Sequence, residues 1–141
     1  MRSFEYFKSD GRIREITLKK SMAESLLKRA QDRLESEKHR ELDEENSFLA
    51  LENTYEALRE VIEADMAAEG YSSSDHVATL SYAEEKLGIE EKELNKLHRF
   101  RKLRNKSRYE AEEITRKEAK QIIEFAEDFV PAIQEEVEKK V

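Results

Sequence analysis

The chain has 141 residues, of which 42% are charged and 38% apolar, and its formal net charge is −7. An all-β fold is excluded because one proline and three glycines are too few for a turn about every 8–12 residues. The absence of cysteine excludes disulfides, a thiol nucleophile and a zinc site with Cys ligands. No apolar run approaches the roughly 18 residues of a membrane span. The N-terminus also lacks the apolar segment of a signal peptide, so we expect a cytoplasmic protein.

The N-terminal segment is the least regular part of the sequence. Its apolar residues alternate loosely around Ser9-Asp10-Gly11, which is a turn signal. We therefore expect residues 1–16 to form an N-terminal arm or a short hairpin, and residues 17–141 to form the main domain.

Helical periodicity dominates the rest of the chain. Apolar residues at three- and four-residue spacing predict a first helix from Thr17 to Lys38 and a second from Asp43 to Glu69. Gly70 is placed to end the second helix. A third helix is expected from Asp75 to Leu87, with Ser74 as its N-cap.

Two further helices complete the prediction. The fourth runs from about Glu90 to Lys106, and residues 109–114 connect it to the last. The sequence Thr115-Arg116-Lys117-Glu118 is a capping box, which begins the last helix, and Pro131 is expected to kink that helix. These elements predict an all-α fold, an antiparallel, up-and-down bundle of four to five helices.

The second predicted helix carries two apolar stripes on opposite faces, although a surface helix needs only one. The second stripe consists of small residues, which permit close approach of another helix. That helix could belong to the same chain or to a second copy, so this stripe is a predicted dimer or helix-packing face. It comprises Ala50, Ala57, Val61, Ala64 and Ala68.

Residues 98–108 form a basic island in an acidic chain. They contain six Lys or Arg and no acid, so the remainder of the chain carries −13. On a helix, the cations continue the apolar stripe that begins with Leu94 and Leu97, instead of lying opposite it. The residues that share this sector are Leu94, Leu97, His98, Arg101, Asn105 and Arg108, and Arg104 borders it.

Guanidinium groups that face the core need partners, because a buried unpaired charge is costly. Two interpretations are open. The arginines pair with glutamates of neighbouring helices, or they bind a phosphate, whose oxygens match the planar fork of Arg.

The basic island also carries a family resemblance. The run from Leu97 to Tyr109, with its Arg104-Asn105 pair, resembles the signature segment of HEPN domains (higher eukaryotes and prokaryotes nucleotide-binding). Three other stretches agree in order and spacing, and together they cover about residues 20–138. They are Thr54-Tyr55-Glu56-Ala57-Leu58-Arg59 with Gly70-Tyr71, then Ser74-Asp75-His76, and Ile114-Thr115 before the last helix.

The resemblance implies a helical bundle that usually forms a homodimer. Many HEPN proteins are metal-independent ribonucleases whose signature Arg and His meet across the dimer cleft. Others are non-catalytic modules that bind RNA or nucleotides, often encoded beside a minimal nucleotidyltransferase as a toxin–antitoxin pair.

This chain departs from the catalytic pattern at one position. Where the catalytic members carry His, it has Tyr109, and no His follows. Tyrosine is a poor general base because its reference pKa is near 10. His98, on the same helix face as Arg101, is an alternative imidazole. The candidates for a catalytic role are thus Arg104, Tyr109 and His98.

The leading hypothesis is a non-catalytic module that binds RNA or nucleotide phosphate. Its expected binding residues are Arg101, Arg104, Asn105, Arg108 and Tyr109. The alternatives are a ribonuclease toxin with an altered site and a purely structural partner protein. No Glu-x-x-His pair or glycine-rich phosphate loop occurs, so we expect neither a metal nor a cofactor.

Overall fold

The computed structural model describes residues 1–141, which form six helices and one two-stranded sheet. The all-α prediction is confirmed. In chain order the elements are α1 (Phe4–Ser9), β1 (Arg14–Glu15), α2 (Lys20–Lys38), α3 (Ser47–Glu69), β2 (Tyr71–Ser72), α4 (His76–Lys86), α5 (Glu91–Glu110) and α6 (Arg116–Glu138).

Helix α3 is the centre of the bundle. It packs most extensively on α2 and α6, and it also contacts α4 and α5. The five small residues of its second stripe are all buried within this single chain, with at most 8% of any of them exposed. Neighbouring helices of the same chain therefore account for the stripe, and it gives no argument for a second copy.

The N-terminal segment is not a hairpin. Phe4 and Phe7 lie three residues apart on α1, and both are buried with Ile13 against the bundle. Of the two expected alternatives the segment is therefore an arm on the bundle, because burial of two phenylalanine rings on one helical face outweighs the loose alternation that suggested a hairpin. After the turn at Gly11, β1 pairs antiparallel with β2, with Arg14 opposite Ser72.

Gly70 ends α3 as predicted, with a φ of 89°. A Cβ at this position would lie 3.0 Å from the Ile16 carbonyl oxygen and 3.0 Å from Leu18 Cδ2. Only glycine suits both the left-handed backbone and this close approach. The Ile16 N–H donates to the Gly70 carbonyl at 2.8 Å, so the end of α3 is joined to the N-terminal segment.

Several helix ends differ from the prediction. Helix α4 is capped by Asp75, whose Oδ1 accepts the Ala78 N–H at 2.9 Å, and not by Ser74. Helix α5 continues to Glu110, so Tyr109 is helical and does not belong to the connection. The capping box at Thr115 is confirmed, and α6 continues through Pro131. None of the six helices has the length and apolarity that a membrane span requires.

A buried carboxylate joins the C-terminal end to the centre of the bundle. Asp65 of α3 is fully buried and accepts hydrogen bonds from the Tyr82 hydroxyl at 2.7 Å and from Lys140 Nζ at 2.8 Å. Burial and the hydrogen bond to Asp65 raise the pKa of Tyr82. Lys140 also lies 3.1 Å from Glu69, so the residues after α6 are held against α3.

Candidate anion-binding groove

An open groove of about 750 Å³ lies between α3, the start of α4 and the second half of α5. We call it the arginine groove, because four of its lining residues are arginines. Helix α5 brings Arg101, Arg104, Asn105 and Arg108 together, since their three- and four-residue spacing places them on one face. The lining residues are Glu56, Arg59, Ser74, Asp75, His76, Val77, Arg101, Arg104, Asn105, Arg108 and Tyr109.

The five residues predicted to bind phosphate all line this groove. Tyr109 lies at its edge with 74% of its surface exposed. His98 does not line the groove. Burial, followed by the charges of Arg101 and Lys102, lowers the pKa of His98, so its imidazole is neutral at neutral pH.

Sequence reasoning missed six of the lining residues, of which Glu56, Arg59 and His76 carry the chemistry of the site. The segments that contain them contributed to the family resemblance, but no binding role was assigned to them. Glu56 and Arg59 are one turn apart on α3, and their spacing places them on one face beside Tyr55. His76 is the first residue of α4, and only the packing of α4 on α3 brings it into the groove.

Arg59 is held by three partners. Its guanidinium lies 3.1 Å from Glu56 and 3.1 Å from Glu63, and it donates to Nε2 of His76. Because a guanidinium only donates, Nε2 must carry the lone pair, and the imidazole is therefore neutral. Burial, followed by the charges of Arg59 and Arg104, lowers the pKa of His76, which is consistent with this state.

Arg104 is almost completely buried, with 6% of its surface exposed. Its NH2 lies 3.5 Å from a carboxylate oxygen of Glu56, and its guanidinium lies 5.7 Å from the centre of the Tyr55 ring. Burial raises the pKa of Tyr55 to about 12, although the nearby arginines act in the opposite direction. Tyr55 is therefore an uncharged aromatic ring next to the guanidinium of Arg104.

Arg101 and Arg108 differ from the other two arginines, because neither forms an ion pair with a carboxylate. The Nε of Arg101 is buried and has no hydrogen-bond partner. An unsatisfied donor of this kind favours an oxygen-bearing ligand. Glutamates thus pair with Arg59 and Arg104, as the structural interpretation expects, but they leave two cations free in the groove.

A comparison with protein-family models identifies the family of the chain. The model described as the HEPN domain matches residues 23–137. The chain belongs to the HEPN domain family. This family is generally related to nucleotides and RNA. No curated protein matches the chain.

The HEPN match extends from α2 to α6 and includes every residue of the arginine groove, whereas α1 and β1 lie outside it. In this HEPN domain the groove contains one imidazole, His76, which comes from α4 and not from the end of α5. Tyr109 is an exposed aromatic ring beside the free cations of Arg101 and Arg108. The groove can therefore hold an anionic group and offer an aromatic face next to it.

Proposed function

We propose that this HEPN domain is a non-catalytic module that binds RNA or nucleotide phosphate in the arginine groove. The observation that supports the proposal most directly is the pair of unpaired cations, Arg101 and Arg108. Arginine forks bind phosphate oxygens in pairs, and such charge-assisted hydrogen bonds are stronger than neutral ones. An overall charge of −7 argues against general attraction to nucleic acid, so binding must depend on this local site.

The other groove residues support the same role. Glu56 and Glu63 hold Arg59 and Arg104 in place before a ligand arrives, which reduces the ordering cost of binding. The amide of Asn105 can hydrogen-bond a phosphate or a base. The exposed ring of Tyr109 can stack on a base, an interaction that contributes about 1–3 kcal/mol per base in single-strand binders.

Arg101→Gln tests the proposed function. We expect it to weaken binding of a fluorescently labelled single-stranded RNA by about tenfold, because one charge-assisted contact is lost. Fluorescence anisotropy measures the affinity. Arg14→Gln is the matched control, since Arg14 is exposed on β1, lies outside the groove and forms no ion pair. Equal affinity of the two variants, or an RNA affinity of the wild type that does not respond to salt, would contradict the proposal.

A ribonuclease activity is the second candidate, and His76 is the observation that favours it. The groove places a neutral imidazole among four arginines, and that imidazole can accept a proton near neutral pH once Arg59 releases its Nε2 lone pair, which Tyr109 cannot do. Under this alternative, wild-type protein cleaves RNA in EDTA and His76→Gln does not. Because the pKa of His76 is lowered, the cleavage rate is expected to fall only at pH values below 6.5, where the base becomes protonated. RNA that stays intact with the wild type eliminates this candidate.

A homodimer, a minimal nucleotidyltransferase partner and a toxin–antitoxin role are further parts of the proposal. They depend on family membership and not on a surface of this chain, because the small-residue stripe of α3 is covered by the chain's own helices. The dimer is tested by light scattering of the purified protein.

A further inference from the structure

A second groove adjoins the arginine groove. It has a volume of about 430 Å³, and Glu56, Arg104 and Arg108 line both grooves. Its other wall comes from Arg33 of α2 and from Arg40, which follows the end of α2. We call it the α2 groove. A ligand that passes the Arg104 and Arg108 side chains can therefore contact both grooves without leaving the surface.

Arg33 and Arg40 of the α2 groove are held in place by buried carboxylates. Arg40 donates to both carboxylate oxygens of Glu37, at 2.7 and 2.8 Å, and Glu37 is buried. Arg33 donates to buried Glu60 and to Asn53 Oδ1, the latter at 2.7 Å. Each guanidinium has five N–H donors, so these bonds leave donors on the outer edge of both groups. The arginines are fixed in position and can still donate to a ligand.

An apolar side chain accompanies these cations. Leu49 lines the α2 groove, and 46% of its surface is exposed. Tyr109 has the same relation to Arg101 and Arg108 in the arginine groove. The arginine groove thus combines cations with an aromatic ring, which is the pairing that single-strand binders use for phosphate and base. The α2 groove combines cations with an aliphatic side chain that a base or ribose can contact.

We propose that the α2 groove is a second phosphate subsite, and that the ligand is a single-stranded RNA spanning both grooves and not a mononucleotide. This inference rests on the proposed function of the arginine groove. In this arrangement Arg33 and Arg40 bind one phosphate, and Arg101 and Arg108 bind another. Leu49 contacts a base or ribose next to these phosphates. Two carboxylates line the α2 groove. Glu56 also lines the arginine groove, whereas Glu52 lines the α2 groove only.

The test compares two probes, adenosine 5′-monophosphate and a labelled octauridylate, each measured over a range of salt concentrations. The variant is Arg40→Gln combined with Glu37→Gln. It removes half-buried Arg40 together with its buried partner and lets residue 37 keep an oxygen for Asn53. Lys28→Gln combined with Asp32→Asn is the matched control. Lys28 and Asp32 both lie on α2, 3.0 Å apart, and line neither groove.

The pair variant is expected to weaken octauridylate binding about tenfold and to leave monophosphate binding within about twofold of the wild type. The slope of log affinity against log salt for octauridylate should become shallower by about 0.7, the value for one phosphate contact in a single strand. Leu49→Ser, at an exposed position, should also weaken only the octauridylate.

Three results overturn the inference. They are unchanged octauridylate affinity in the pair variant, equal losses for the two probes, and equal salt slopes of the two probes with the wild type.

Arg101→Gln distinguishes failure of the second subsite from failure of the proposed function. If Arg101→Gln weakens both probes and the pair variant weakens neither, only the second subsite is wrong. If Arg101→Gln also changes neither probe, the arginine groove is not the binding site.

Discussion

Replacement of Asp65 by alanine is expected to lower the free energy of unfolding by about 3 kcal/mol. The carboxylate is fully buried and accepts hydrogen bonds from Tyr82 and Lys140, so its removal leaves the buried Tyr82 hydroxyl without a partner and leaves Lys140 with Glu69 alone. The measurement is urea unfolding followed by circular dichroism.

Two further variants make the Asp65 result specific. Asp65→Asn keeps an acceptor for the Tyr82 hydroxyl, but it loses the charge and replaces the oxygen that accepts from Lys140 with an NH2 group. Because the buried hydroxyl keeps its partner, the effect should be smaller than that of Asp65→Ala. Asp32→Ala removes a carboxylate from an exposed pair on α2 and should change the free energy of unfolding by less than about 1 kcal/mol. If Asp65→Ala is no more destabilising than Asp32→Ala, the buried network does not stabilise the C-terminal end.

Arg104→Met is expected to have the largest effect on RNA binding, a loss of about a hundredfold. Arg104 lines both grooves, and it is the most buried of the groove arginines. Its removal also leaves Glu56, a carboxylate that lines both grooves, without the cation that lies 3.5 Å away, so a phosphate would meet an uncompensated negative charge there. Methionine fills a similar volume, and circular dichroism will show whether the fold is kept.

The controls for Arg104 separate charge from geometry. Arg104→Lys keeps the charge without the planar fork and should restore part of the affinity. Arg99→Gln removes a charge from the same helix outside both grooves, where Arg99 bonds Gln121 at 2.8 Å, and should leave binding nearly unchanged. An Arg104→Met variant that unfolds more easily but binds RNA like the wild type would assign Arg104 a structural role only.

Much of the fold could be predicted because its signals are local. The capping box at Thr115 begins α6 and Gly70 ends α3, both where expected. Each of these signals involves only a few neighbouring residues. The sequence left an arm and a hairpin open for the N-terminal segment and did not predict helix α1, because this short helix is stabilised by distant contacts. Phe4 is buried, and its N–H donates to Glu85 at 2.7 Å, 81 positions along the chain.

The sequence by itself determined the all-α fold and the face of α5 that carries Arg101, Arg104, Asn105 and Arg108, because helical geometry converts spacing directly into position. The tertiary structure decided which of these arginines are paired. Glu56 reaches Arg104 from another helix, whereas no carboxylate reaches Arg101 or Arg108. That distinction depends on distances of a few ångströms between side chains from different helices, which no local pattern in the sequence encodes.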